Sequence, residues 1–148
     1  MGLDMYLNAK KYLFSYPEDG PDAQTAKAIA EQMGLPNARI KQIEAEAMYW
    51  RKANAIHQWF VDNVQGGTDD CGEYEASREQ LQELLDLITE VIDSKNASKL
   101  PPASGFFFGS TTVDDWYWSD LKTTKERLIE LLEGEQFKGW DFSYHSSW

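Results

Sequence analysis

The sequence predicts an α+β fold: one two-layer domain over residues 1–148, with a small antiparallel or mixed sheet that includes both chain ends and is covered by about four helices. Three observations predict it. Both ends of the chain alternate apolar and polar residues with period two, as half-buried strands do. Between them lie segments whose apolar residues recur every three to four positions, as in helices that bury one stripe. The third is aromatic content. Trp 6, Tyr 7 and Phe 7 make up 14% of the 148 residues, enough to build a core despite a formal net charge of −11. Disordered chains of comparable charge lack such side chains.

The elements follow in order. Over Met1–Phe14, Leu3, Met5 and Leu7 fall on one side and Asp4, Tyr6 and Asn8 on the other, so the first strand ties the N-terminus into the sheet. Pro17, Gly20 and Pro21 punctuate a loop, and Pro21 suits the opening of a helix over Asp22–Met33. Gly34-Leu35-Pro36 stops it. Residues 41–50 fit two periods. Ile43, Ala45, Ala47 and Tyr49 alternate with Gln42, Glu44, Glu46 and Met48, while Ile40, Ile43, Ala47 and Trp50 fit a helical stripe; the alternation favours a strand. A helix then runs from Trp50 to about Val64, with Trp50, Ala53, Ile56, His57, Phe60, Val61 and Val64 on its apolar face and Arg51, Asn54, Gln58 and Asp62 opposite. Gly66-Gly67 ends it. A turn at Asp69–Gly72 leads to a possible short strand. Ser77 with Gln80 forms a capping box before the strongest amphipathic helix, which carries Leu81, Leu84, Leu85, Ile88, Val91 and Ile92 inward. After a Pro-containing loop, a last helix spans about Asp114 to Glu133. The tail Trp140–Trp148 alternates again and reads as a terminal strand.

Composition excludes several classes. A single cysteine, Cys71, rules out an intrachain disulfide and a Cys-based zinc site. With 14 Lys+Arg against 25 Asp+Glu, direct nucleic-acid binding is disfavoured, because phosphates must be neutralised. No apolar run reaches the ~18 residues of a membrane span, and no basic-plus-apolar leader opens the chain, so a cytoplasmic protein is expected. The Met-Gly start lacks the Ser or Thr at position 6 that myristoylation needs; Tyr6 stands there.

Few residues carry chemistry. His57 and His145 are the only histidines, without a paired-ligand spacing, so no metal and no cofactor are expected. The acidic turn lacks EF-hand spacing. Cys71 and His57 are the one conceivable thiol–imidazole pair, but Asp70 and Glu73 flank the thiol. There is no nucleophile elbow and no phosphate-binding Gly motif. No catalytic residue is therefore nominated.

Two binding surfaces are. Tyr49, Trp50, Arg51 and Lys52, with Asn54 and His57 one turn on, place cations and aromatics beside a helix N-terminus, which suits an anionic, nucleotide-like ligand. The second surface is aromatic. Trp116 and Trp118 are two apart on a helix and point about 200° apart, so one core cannot take both. In an extended Phe106–Phe108, Phe107 opposes its neighbours. Surplus aromatics of this kind anchor protein partners. Glu79, Glu83, Asp86 and Glu90, continued by Asp93, make an acidic helix face that can steer a partner, although a solvated surface accounts for such a face as well.

The opening Met1-Gly-Leu-Asp-Met-Tyr-Leu7, the block Tyr49–Phe60 with Asp70-Cys71, the loop Ser104-Gly-Phe-Phe-Phe-Gly-Ser110 and the Trp-terminated tail resemble a family of small proteins found in bacteriophage and prophage genomes. The resemblance runs the length of the chain and carries no catalytic residues across. It implies a phage accessory protein in a bacterial cytoplasm. The first expectation is a non-catalytic inhibitor that binds a host protein, of the anti-defence (anti-CRISPR-like) kind. The alternative is a protein that binds a nucleotide or small anion and sequesters it, or an enzyme acting on one. The oligomeric state is left open.

Overall fold

The computed structural model describes residues 2–105 and 107–148. The chain runs β1 (Asp4–Tyr12), α1 (Pro21–Gln32), β2 (Gln42–Arg51), α2 (Asn54–Asn63), β3 (Tyr74–Ala76), α3 (Arg78–Ser94), α4 (Asp115–Glu133) and β4 (Asp141–Ser147), with a short 3-10 turn at Ala97–Lys99. The fold is α+β, with a four-stranded antiparallel open sheet in the order β2-β1-β4-β3. The two terminal strands pair with each other at its centre. Leu7 lies opposite Tyr144 on one side and opposite Met48 on the other.

The period-two reading of both ends holds in three dimensions. Met5, Leu7 and Ala9 point into the core, as do Phe142 and Tyr144, while Asp4, Tyr6 and Asn8 lie on the open face. Residues 42–51 are a strand, with a correction of phase. The register slips between Leu7 and Asn8, so that Ala47 has no partner of its own on β1. This is a β-bulge. It reverses the alternation beyond Ala47: Met48 and Trp50 turn inward, and Tyr49 turns outward against Tyr6, with ring centroids 5.4 Å apart. Arg127 Nε of α4 donates to the carbonyl of Ala47 at 2.8 Å and pins the bulge.

The helix expected from Trp50 begins four residues later. Trp50 and Arg51 complete β2, Lys52 adopts φ 58°, and α2 starts at Asn54. A left-handed residue cannot continue a right-handed helix. Once started, α2 is buried nearly all round, including Asn54, His57 and Trp59, because it lies between the sheet and the 103–110 loop. The capping box of α3 is present: Gln80 N–H donates to Ser77 Oγ at 3.1 Å, and Ser77 N–H donates to Gln80 Oε1 at 2.9 Å. Asp114 caps α4 by accepting from Tyr117 N–H at 3.0 Å.

The core lies between the sheet and α2, α3 and α4. Phe60 stacks on Tyr144 with centroids 3.9 Å apart and planes 3° apart, and Trp50 meets both rings edge-on. Trp50 Nε1 donates to Thr124 Oγ1 at 2.7 Å, which supplies the partner a buried indole needs. The four helices expected are present among the described residues. Of α1, Ala30 is buried and Asp22, Ala23, Ala26 and Ile29 are half-buried. Met1 and Phe106, which entered the readings of the first strand and the Phe-rich loop, lie outside the described residues. No helix among the described residues is long and apolar enough to cross a membrane.

Replacing Phe60 by Ala removes the ring that joins α2 to the sheet. Urea denaturation is expected to show a loss of roughly 3–5 kcal/mol; a loss below about 1 kcal/mol contradicts this packing.

Candidate functional site

The segment after β2 folds into a clasp. Lys52 N–H donates to the carbonyl of Leu3 at 2.8 Å, and Asn54, at the first turn of α2, is buried. Its amide nitrogen donates to the carbonyls of Phe108 and Ser110 at 3.0 and 2.9 Å, and its Oδ1 accepts from Ala103 N–H at 3.0 Å. One side chain thus fastens both ends of the 103–110 loop to α2. The loop turns back at Gly109, with φ 87° and open only to a residue without Cβ: a methyl there would stand 3.3 Å from Lys52.

The clasp forms one wall of a cleft of about 300 Å³. Its lining includes Arg51, Lys52, Ala55 and Ile56, then Gly109, Ser110 and Thr112, and Asp114, Trp116 and Asp120 from the start of α4. Arg51 is largely exposed, its nearest carboxylate being Asp4 at 3.9 Å. No side chain caps α2, so the Ala55 and Ile56 amides have no partner inside the helix, and the positive end of the helix faces the cleft. Trp116 stands at the rim, 78% exposed. Burial first and the nearby Asp114 second push the Asp120 carboxyl up from 3.8 to about 6. At neutral pH it is mostly an acceptor, and a modest drop in pH makes it a donor. The cleft therefore joins an anion-binding side, an aromatic lid and a hydrogen-bonding carboxyl. Burial also holds the Tyr117 phenol up to about 12, so it stays protonated, and it donates to the carbonyl of Leu100 at 2.7 Å.

The residues nominated from sequence separate. Arg51, Lys52 and Asn54 come together at the cleft, and Trp116, nominated for a different surface, joins them. Tyr49 does not line the cleft; the bulge turns it to the open face of the sheet, where its phenol donates to Asp4, the same carboxylate that lies 3.9 Å from Arg51 Nε. Trp50 is buried in the core. His57 is fully buried, with both nitrogens engaged: Nδ1 lies 2.7 Å from Tyr144 Oη and Nε2 lies 2.9 Å from Asp69 Oδ2. Burial, and then the charge of Asp69, raise the Tyr144 phenol. It keeps its proton and donates to Nδ1, so Nε2 carries the hydrogen donated to Asp69. Trp148 Nε1 completes the chain by donating to Asp69 Oδ1 at 3.1 Å. This is a core histidine, satisfied on both sides and closed to ligand. Trp118 is partly buried against the core, edge-on to Tyr117. Phe107 is 43% exposed and Phe108 is buried, so they do face opposite ways, on a turn with φ 67° at Phe107 rather than on a strand. Glu79, Glu83, Asp86 and Glu90 are all exposed along α3. Sequence reasoning missed Asp114 and Asp120 as lining residues. Asp114 carried a signal as a cap, whereas Asp120 carried none, since its altered proton affinity comes from burial.

Among the described residues, no group of three or more His, Cys, Asp or Glu is placed to hold a metal ion. Compared with protein-family models, curated proteins and solved structures, the chain shows no match to any.

Two outcomes test this geometry. Asn54→Ala strands two carbonyls and an amide; each buried group left without a partner costs ~1–3 kcal/mol, and the amides of residues 103–110 are expected to exchange faster than those of α3. For Asp120, the folded state holds a proton that the unfolded chain releases between about pH 4 and pH 6. The contribution of this group to stability is therefore present at low pH and falls as pH rises through that window. Asp120→Asn should raise Tm near neutral pH and leave it almost unchanged near pH 4; an equal shift at both contradicts the assignment.

Proposed function

We propose that the protein is a non-catalytic binding protein whose Arg51–Lys52 cleft takes up a small ligand in which an anionic group is joined to a planar ring, as in a nucleotide. One observation carries this reading: the exposed Arg51 and Lys52, the uncapped first turn of α2, Trp116 and Asp120 all line a single cleft of ligand size. Phosphate oxygens suit the Arg51, Lys52 and α2 side, where charge-assisted hydrogen bonds are strongest. A base suits the exposed face of Trp116, since stacking on an aromatic contributes ~1–3 kcal/mol. Ring N–H or amino groups suit Asp120 as an acceptor. In the phage setting that the resemblance of the sequence implies, such a protein would sequester a signalling nucleotide of the bacterial host.

A second reading, inhibition of a host protein, is favoured by the 78% exposure of Trp116 together with the acidic face of α3. There Trp116 and Phe107 would serve as anchors and Glu79, Glu83, Asp86 and Glu90 would steer the encounter. Steering by exposed charge weakens with salt, so a partner captured equally fast in about 0.5 M salt removes the electrostatic part of this reading.

Thermal melting and calorimetry against mono-, di- and cyclic nucleotides separate the two readings. The expected result is a ligand-dependent rise in Tm, with binding weakened at least about tenfold in Arg51→Ala/Lys52→Ala, since a hydrogen bond to a charged group contributes ~1.5–3 kcal/mol. A rise that survives the double substitution sinks the cleft as the site.

A further inference from the structure

The cleft holds a half-buried acid that its neighbours leave unused. Asp120 lines it from α4. Asp114, the other carboxylate of the lining, is engaged as the cap of α4. No hydrogen-bond donor reaches the Asp120 carboxyl among the described residues; its proton affinity is raised by burial and by Asp114. A carboxylate withdrawn from water without gaining a donor is destabilised. A ligand that brings donors to it removes that penalty.

Trp116 stands four residues before Asp120 on the same helix, so both side chains lie on one face, about 6 Å apart along the axis. The Trp116 ring is largely exposed. It meets no other ring, and its indole N–H has no acceptor, among the described residues. A base laid on that indole can turn one edge to Asp120. Which base fits is decided by the edge. An ionised carboxyl offers acceptors only, and its two oxygens suit two donors side by side. Adenine sets its amino group beside the acceptor N1, and cytosine sets its amino group beside the acceptor N3. Uracil and hypoxanthine set an N–H beside a carbonyl. Guanine sets two donors together, N1–H and the 2-amino group.

We propose that Asp120 selects the base in this cleft, and that the nucleotide taken up carries guanine, stacked on Trp116 and donating to Asp120 through N1–H and the 2-amino group. This rests on the cleft being a nucleotide site, as proposed above, and adds which nucleotide. Paired hydrogen bonds to an ionised group are among the strong ones, and they favour the charged carboxyl. The other charged groups of the lining are Arg51, Lys52 and Asp114. The cations serve the phosphate, and the Tyr117 phenol stays protonated, donating to Leu100.

Calorimetry with the 3′,5′-cyclic monophosphates of guanosine, inosine and adenosine tests it. The three share sugar and phosphodiester and differ in the base. At about pH 8, guanosine should bind at least about tenfold tighter than either of the others, and Asp120→Asn, which turns one acceptor into a donor, should bring all three within about threefold. Asp120 takes up its proton near pH 6. Guanosine affinity should therefore fall at least about threefold between about pH 8 and about pH 5 in the native chain, and not in Asp120→Asn. Equal binding of the three overturns the choice of base and leaves the nucleotide site standing. A guanine preference that survives Asp120→Asn overturns the role of Asp120. Binding of none at about 1 mM removes the nucleotide reading itself, and this inference with it.

Discussion

The antiparallel pairing of β1 with β4 is the constraint on which the rest of the structure depends. It brings the two ends of the chain together at the middle of the sheet, so neither terminal strand is an edge: β1 carries β2 on its far side, and β4 carries β3. The pairing places Tyr144 opposite Leu7, at the centre of the inner face. A phenol buried there needs a partner for its hydroxyl, and it finds one in His57 of α2. Phe60, one turn on in the same helix, stacks on the Tyr144 ring. The position of α2 is thereby set at two points. His57 then engages Asp69, and Asp69 engages Trp148 just past the end of β4, so the line of hydrogen bonds that starts in the last strand returns to it.

With α2 fixed, the candidate site follows. Asn54 lies one helical turn before His57, and its amide and carbonyl oxygen hold the 103–110 loop. That loop lines the cleft. The start of α4, capped by Asp114, lines it as well, with Trp116 and Asp120. The chemistry of the cleft is thus a consequence of core packing. Its cations sit in a chain of net charge −11, so the anionic ligand proposed above would approach through an unfavourable long-range field and would have to be held by short-range contacts once inside.

Much of the fold was legible in the sequence because strands and helices differ in period. β1, α1, β3, α3, α4 and β4 lie within a few residues of where alternation, stripes and caps put them. β2 was legible as a strand, but its phase was not. A bulge adds one residue to one strand, and only the partner reveals it. That residue is why Tyr49 turns to the open face of the sheet and Trp50 enters the core. The start of α2 was misread for a related reason: Trp50 and Arg51 fit the helical stripe, and the left-handed turn at Lys52 leaves no mark in the spacing. At the candidate site, Arg51, Lys52 and Trp116 were recognisable as exposed groups able to bind. Asn54 read as a polar surface residue, because its three backbone partners lie about fifty residues away in sequence.

The sequence by itself determined the α+β class, the strand character of both chain ends, the helical stripes and caps, and the exclusion of an intrachain disulfide and a Cys-based zinc site. These depend on residue type and local spacing alone. Only the tertiary structure decided that Arg51 and Lys52 share a cleft with Trp116 and Asp120, that His57 is sealed in the core, and that Asn54 fastens the loop before α4. Each is a relation between groups distant along the chain, and such relations exist only after the sheet has closed.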